Sequence, residues 1–240
     1  MKELLKKWVK KIPVAFTKNQ QYDQQTQQVI RRVCHSDAGF IDVGCHKGEV
    51  LDLVLKYAPA GKHYGFEPIP AMYDKLREKY AANPLCNISN VALSNENGTT
   101  TFNYVVSNPS YSGLRKRQYD RAGEQDTTIT VTTQRLDDFL PSDYIPTLIK
   151  IDVEGAELFV LEGAVATLRR TRPVVIFEHG LGASEFYDAT PDRIFELFEN
   201  CNMQISLMER WLKGAAPLSK EELKRQFHEK INYYFIAYPA

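Results

Sequence analysis

The sequence predicts an α/β protein built on a seven-stranded, mostly parallel sheet with helices on both faces. Three observations carry this expectation. From Gly39 onward, short apolar runs alternate with amphipathic stretches of helical period, the pattern of successive βαβ units. The chain of 240 residues is long enough for one substantial core, and two full domains would be cramped. Its composition, 43% hydrophobic and 25% charged with 12 prolines, suits a folded globular chain and argues against a disordered or fibrous one.

Taken in order, the expected strands are Phe40–Val43, His63–Phe66, Asn87–Val91, Leu148–Val153, Val174–Glu178, Met203–Leu207 and Tyr233–Ala237. Helices are expected between most of them, over Glu49–Tyr57, Ala71–Ala81, Ala156–Arg169 and Asp192–Asn200. Thr190 is placed to cap the last of these, with Pro191 at its first position. One stretch breaks the alternation: Thr99–Val106 and Thr127–Thr133 are Thr-rich and β-branched, which reads as a hairpin inserted into the fold. The polar segment Ser107–Asp126 between them is long for a compact domain, and is either a lid that recognises substrate or a surface loop without a role. Leu218–Lys230 forms a further charged helix.

At the N-terminus, Leu4, Leu5, Trp8, Val9 and Ile12 share one helical face, and Lys2, Lys6, Lys7, Lys10 and Lys11 cover the rest. This basic amphipathic helix could rest on an anionic membrane surface or a lipid-linked substrate, or pack on its own domain. Residues 1–36 are read as a helical extension and 37–240 as the main domain. No apolar run in Met1–Phe16 has the length of a signal peptide or a membrane span. Cys34, Cys45, Cys86 and Cys201 lie far apart with no CxxC pair, so neither a disulfide framework nor a zinc knuckle is expected, and a reducing cytoplasm fits best. Thirty basic residues balance thirty acidic ones, which leaves no global field to attract nucleic acid.

The first expected strand runs into Phe40-Ile41-Asp42-Val43-Gly44-Cys45-His46-Lys47-Gly48-Glu49. Ligands of open α/β sheets bind at this carboxyl edge, so Gly44 is placed for close backbone approach to a ligand and Gly48 for a tight start to the next helix. The spacing is not the dinucleotide fingerprint, because His46 and Glu49 stand where that motif has glycine. A pyrophosphate is poorly served here. A nucleoside joined to a zwitterionic amino acid fits better, which points to S-adenosylmethionine, with Asp42 accepting from its amine. Glu67, nineteen residues after Gly48 and braced by Pro68, is placed to bind ribose hydroxyls, while Val91 and Ala92 are placed to flank an adenine.

The segment Leu148-Ile149-Lys150-Ile151-Asp152-Val153-Glu154-Gly155-Ala156-Glu157 puts a lysine inside a buried-looking strand and acids at its carboxyl edge. Charges in a core strand demand partners. Glu157 is explained by helix capping, whereas Asp152 and Glu154 are less so. The strand Val174–Glu178 ends at the same edge in Glu178 and His179. Lys150, Asp152, Glu154, Glu178 and His179 therefore form the expected reaction centre, with His179, Glu178 or Glu154 as the base. Such a group could alternatively hold a divalent cation that acidifies an acceptor hydroxyl; no metal ligand is assigned.

Phe-Ile-Asp-Val-Gly at 40–44, Phe-Glu-Pro at 66–68, Ala-Leu-Ser at 92–94, Lys-Ile-Asp-Val-Glu-Gly-Ala-Glu at 150–157 and Leu-Glu-Gly-Ala at 161–164 together resemble the FkbM family of methyltransferases, over about residues 39 to 180. The resemblance implies a class I methyltransferase, Rossmann-like fold, S-adenosylmethionine as donor, and O-methylation of a sugar, glycan or secondary-metabolite hydroxyl. It assigns Asp42, Gly44 and Glu67 to the cofactor site and 150–157, with Asp152 shared, to the reaction centre. His46, counted with the cofactor site, departs from the family, which commonly carries Asn in this turn, and is either a contact to the methionine end of the cofactor or a turn residue. Two other classes remain: a nicotinamide-dependent oxidoreductase, and a non-catalytic nucleoside-binding protein. The oligomeric state and the acceptor are not encoded in any readable pattern.

Overall fold

A computed structural model describes residues 17–119 and 123–240. The basic helix expected over Met1–Phe16, and the membrane contact attached to it, lie outside the described residues. Among those described, no helix is long and apolar enough to cross a membrane.

Helix α1 (Lys18–Val33) opens on a reciprocal capping box between Thr17 and Gln20 and closes with Arg31 and Arg32 in its last turn, where the helix dipole favours cations. Its Val29 and Ile30 are buried in the same cluster as Phe40, Leu148 and Ile236, so α1 packs on the sheet's own core. The sheet then follows from β1 (Gly39–Val43), α2 (Glu49–Val54), β2 (His63–Phe66), α3 (Pro70–Tyr80) and β3 (Cys86–Ser89). After the inserted segment come β7 (Pro146–Ile151), α5 (Glu157–Glu162), α6 (Val165–Thr171), β8 (Val174–Glu178), α7 (Pro191–Glu199), β9 (Met203–Ser206), α8 (Met208–Leu212), α9 (Lys220–His228) and β10 (Tyr234–Pro239). The strand order is β3-β2-β1-β7-β8-β10-β9, with β10 alone antiparallel to its neighbours. Separate apolar clusters cover its two faces, one around Ile41, Ile149 and Phe177 and the other around Phe40, Leu148 and Ile176. The seven-stranded, mostly parallel sheet is thus as expected, and Thr190 caps α7 through the Arg193 N–H with Pro191 at its start.

The insertion forms its own small sheet, order β4-β6-β5, from β4 (Ala92–Leu93), β5 (Gly98–Val105) and β6 (Asp126–Gln134). The hairpin β5–β6 is antiparallel from Gly98↔Thr133 to Val105↔Asp126. Short helix α4 (Leu136–Phe139) leads back to the main sheet.

Two expectations are corrected here. The strand expected over Asn87–Val91 ends at Ser89, because the Asn90 amide turns back to donate to the Glu67 and Pro68 carbonyls, and the chain then joins the small sheet. The single helix expected over Ala156–Arg169 is broken into α5 and α6 at Gly163. That glycine packs so closely on the small sheet that a Cβ there would lie 2.1 Å from the Ser94 carbonyl oxygen. Asp137 then caps α6, accepting from the Ala166 and Thr167 N–H groups at 2.8 Å each.

Candidate cofactor and acceptor site

The strand order reverses between β1 and β7, and crevices at such a switch point bind ligands at the carboxyl ends of the strands. Asp42 is the penultimate residue of β1 there, and Asp152 follows β7. Between β1 and α2 the chain turns through positive φ at Gly44 (82°), His46 (49°) and Gly48 (72°), held by Gly44 and Cys45 N–H groups donating to the Phe66 carbonyl at 3.0 and 3.1 Å. Packing within the chain also requires both glycines. A Cβ on Gly44 would lie 2.0 Å from the Asp152 carbonyl oxygen, so the close approach is to the neighbouring turn. A Cβ on Gly48 would lie 2.3 Å from the Tyr80 hydroxyl, which donates to the Gly48 carbonyl. His46 occupies the left-handed region, lines the cavity, and has Nε2 3.5 Å from the Ser110 Oγ of the β5–β6 loop.

Asp42 is 1% exposed, lines the cavity, and neither carboxylate oxygen has a hydrogen-bond partner among the described residues. Burial pushes its pKa up to about 6 against the pull of Lys150, its register partner on β7. Glu67, 4% exposed, also borders the cavity, but its oxygens accept from His46 N–H at 2.9 Å and Ile69 N–H at 3.0 Å. Burial lifts it to about 7. It braces the turn, and spare lone pairs leave it able to accept further donors. Pro68, Val91 and Ala92 line the same wall, joined by Ile69, Met72 and, from the hairpin, Phe102.

At the other end of the cavity, Asp152 Oδ2 accepts from Lys150 Nζ at 2.9 Å and from the Tyr234 hydroxyl at 2.6 Å. Burial opposes its charge, but Lys150 and these donors outweigh burial and hold its pKa low. Lys150 is likewise kept charged, since Asp152 and Asp42 outweigh its desolvation. Glu178 faces the opposite outcome: burial first, then the charges of Asp152, Glu154 and Glu157, drive its pKa far up, and it hydrogen-bonds Asp152 as the neutral acid. Glu154, at φ 57°, is ion-paired with Arg117 of the β5–β6 loop, and burial and Asp152 raise it to about 8. Asp152, Glu154 and Glu178 bring carboxylate oxygens within 4.8 Å of one another, close enough for one cation to bridge, and the chain itself sets Lys150 and Arg117 against them. Glu157 instead accepts from the Val153 and Gly155 N–H groups, as a capping acid does.

His179 does not join this group. It is fully buried outside the cavity lining, stacked 4.5 Å from the Phe227 ring, and burial holds it neutral with a pKa down near 3. Side chains alternate along a strand, so Glu178 facing the cavity turns its neighbour away. Conversely, Tyr234 and Phe102 line the cavity without having been expected there, while Arg117, expected only within the Ser107–Asp126 lid or loop, reaches Glu154. Tyr234 lies opposite Glu178 across the antiparallel pair β8–β10, a placement that only the topology reveals. The cavity, about 1050 Å³, continues past the acids to Lys18, Asn19, Tyr22 and Asp23 of α1 and to Tyr233 before β10. Pro109–Ser112, Leu114 and Arg117 of the loop border it as well.

A nucleoside-sized crevice at the switch point, with an acid after β1, an acid after β2 and a charged group after β7, defines the class I methyltransferase architecture. A model of the methyltransferase FkbM domain matches residues 42–205. The chain belongs to the FkbM methyltransferase family. The match continues to β9, beyond the limit near residue 180 that the motifs alone indicated. Among curated proteins, the chain is 28% identical over 163 residues to the 2-O-methyltransferase NoeI of Sinorhizobium fredii, covering 61% of this chain and 65% of that one. It is 30% identical over 158 residues to the methyltransferase sdnD of Sordaria araneosa, covering 53% and 61%. The chain thus spans somewhat under two thirds of the length of both relatives. A crystal structure of an FkbM methyltransferase from Methylobacillus flagellatus KT shares the fold, with TM-score 0.53 at 15% identity over 85% of this chain and 44% of that one.

Proposed function

We propose that the chain transfers the methyl group of S-adenosylmethionine to a hydroxyl of a sugar, glycan or secondary metabolite. The observation that carries the cofactor assignment is Asp42: a buried carboxylate bordering the cavity, with neither oxygen partnered among the described residues, suits a ligand that brings donors and positive charge. When bound, S-adenosylmethionine supplies an electrophilic methyl on a sulfonium.

Asp42 then binds the amino-acid end, the Glu67 corner and the Val91–Ala92 wall hold the nucleoside end, and Phe102 and Met72 shield it from water. Glu154, with a pKa of about 8, is matched to take the acceptor's proton near neutrality, since general bases work best when their pKa lies near the ambient pH. Asp152 and Lys150 stay charged and orient the site, while Glu178 keeps its proton. Hydroxyl acceptors are favoured by the likeness to a 2-O-methyltransferase, and the Lys18–Asp23 face of α1 with Tyr233 offers amide, charge and ring contacts of the kind sugars use.

Calorimetric titration of the full chain with S-adenosylhomocysteine and with NAD, repeated in Glu67→Gln, tests the reading. Binding of the first alone, weakened by the substitution, supports it; binding of NAD, or of neither, overturns it.

A further inference from the structure

The β5–β6 loop reaches the acids of the reaction centre through Arg117. Arg117 pairs with the Glu154 carboxylate, and both side chains are largely covered, at 13% and 15% exposure. Its guanidinium lies 5.3 Å from the centre of the Tyr111 ring, which stacks on Tyr119 at 6.1 Å with planes 7° apart. Arg115 of the same loop sits over Tyr187, whose hydroxyl accepts from the Arg115 N–H at 2.7 Å. Toward the cofactor turn the loop meets His46 through Ser110. One segment therefore spans from His46 to Glu154 along the cavity.

Among the described residues, the carboxyl groups around Glu154 work against its charge. Asp152 precedes it on the same turn, Glu157 begins α5, Glu178 ends β8, and the phenols of Tyr187 and Tyr234 approach from the segment before α7 and from β10. Lys150 is engaged with Asp152. Arg117 is the cation set directly on Glu154, and removing one partner of a covered pair leaves the other charge uncompensated.

We propose that Arg117 is a positioning residue: it anchors the β5–β6 loop over the cavity and, by pairing with Glu154, favours the ionised form of that carboxylate and fixes its direction. The roof over the acceptor and the proton-accepting group thereby assemble together. That Glu154 serves as the base rests on the methyl-transfer reading above; the coupling of loop and carboxylate does not.

Two measurements on the full chain test this without an acceptor. With glutamate labelled at the side-chain carboxyl carbon and Glu154 assigned by its loss in Glu154→Gln, the titration midpoint of Glu154 is followed by NMR. We expect Arg117→Gln to move it up by about 1 to 3 pH units and Arg117→Lys to restore most of the difference. A merely structural role would not distinguish the two variants in this way. Second, trypsin cleavage after Arg115 and Lys116 should quicken several-fold in Arg117→Gln and in Glu154→Gln, and no further in the double variant, because both break one coupled contact. An unmoved midpoint in Arg117→Gln, or cleavage effects that add in the double variant, overturns the proposal. S-adenosylhomocysteine binding, measured alongside, reports on the methyl-transfer reading separately: its absence in the parent chain would remove that reading and leave the pair still tested.

Discussion

Asp42 makes a prediction whose two halves run in opposite directions. Its pKa, lifted to about 6 by burial, stands well above the value of about 3.9 for a carboxyl in an unfolded chain. The folded chain thus holds this proton more tightly than the unfolded one. Ionising Asp42 costs stability that is untouched below about pH 4 and is lost as pH rises to about 6, with the full penalty above that. Between pH 4.5 and 7.5 this linkage removes about 2 kcal/mol from the parent. Asp42→Asn cannot titrate and is spared that loss. For a chain of this size about 2 kcal/mol corresponds to about 4 to 8 °C in Tm. The melting temperature of the variant relative to the parent should therefore be about 4 to 8 °C higher at pH 7.5 than at pH 4.5. S-adenosylhomocysteine keeps the amine that Asp42 is assigned to receive, so the same substitution should weaken its binding by about 10- to 100-fold, the worth of a charge-assisted hydrogen bond. Differential scanning fluorimetry at both pH values and calorimetric titration at pH 7.5 read the two halves. A Tm difference equal at both pH values would refute the burial of a titrating Asp42. Undiminished binding would refute its contact with the ligand.

Two further substitutions probe places where the structure departs from the sequence expectation. His179→Phe keeps a ring against Phe227 and removes two buried ring nitrogens that have no hydrogen-bond partner among the described residues; we expect Tm to rise by a few degrees, from about 1 to 3 kcal/mol, with S-adenosylhomocysteine affinity unchanged, and a lost affinity would return His179 to the site. Gly163→Ala has an ordinary φ of −74°, so the whole cost comes from forcing a Cβ to 2.1 Å from the Ser94 carbonyl oxygen; thermal denaturation should show a loss of about 1 to 3 kcal/mol, and a parent-like Tm would mean that α5 and α6 are not locked to the small sheet.

The parallel core was legible because βαβ units deliver the carboxyl ends of successive strands to one edge, so an acid after each apolar run marks the same crevice. Asp42, Glu67, Asp152 and Glu178 were found in this way, and all four line the cavity. Tyr234 escaped because β10 runs antiparallel: its cavity end is the start of the strand, where no trailing acid or glycine announces it. Arg117 escaped as a partner of Glu154 because the loop that carries it has no period from which a direction could be read. His179 was misassigned although the alternation of strand side chains already pointed it away from Glu178. The helix break at Gly163 depends on Ser94, nearly seventy residues away in sequence, and no local propensity contains that contact.

What separates the acids of the reaction centre is their company, since their side chains are nearly the same. Asp152 has Lys150 and Tyr234 on one oxygen and Glu178 beside it, so it stays ionised with a low pKa and supplies charge and orientation better than proton acceptance. Glu178 has the same neighbours without a cation of its own and remains an acid. Glu157 spends one oxygen on two backbone N–H groups at the start of α5. Only Glu154 combines a position on the cavity wall, a pKa near neutrality and a cation that belongs to another segment of the chain. Environments that push neighbouring carboxyl groups apart in pKa are how one site assigns different roles to one chemistry. Here the division leaves the proton-accepting role to the one acid whose charge depends on where the β5–β6 loop lies.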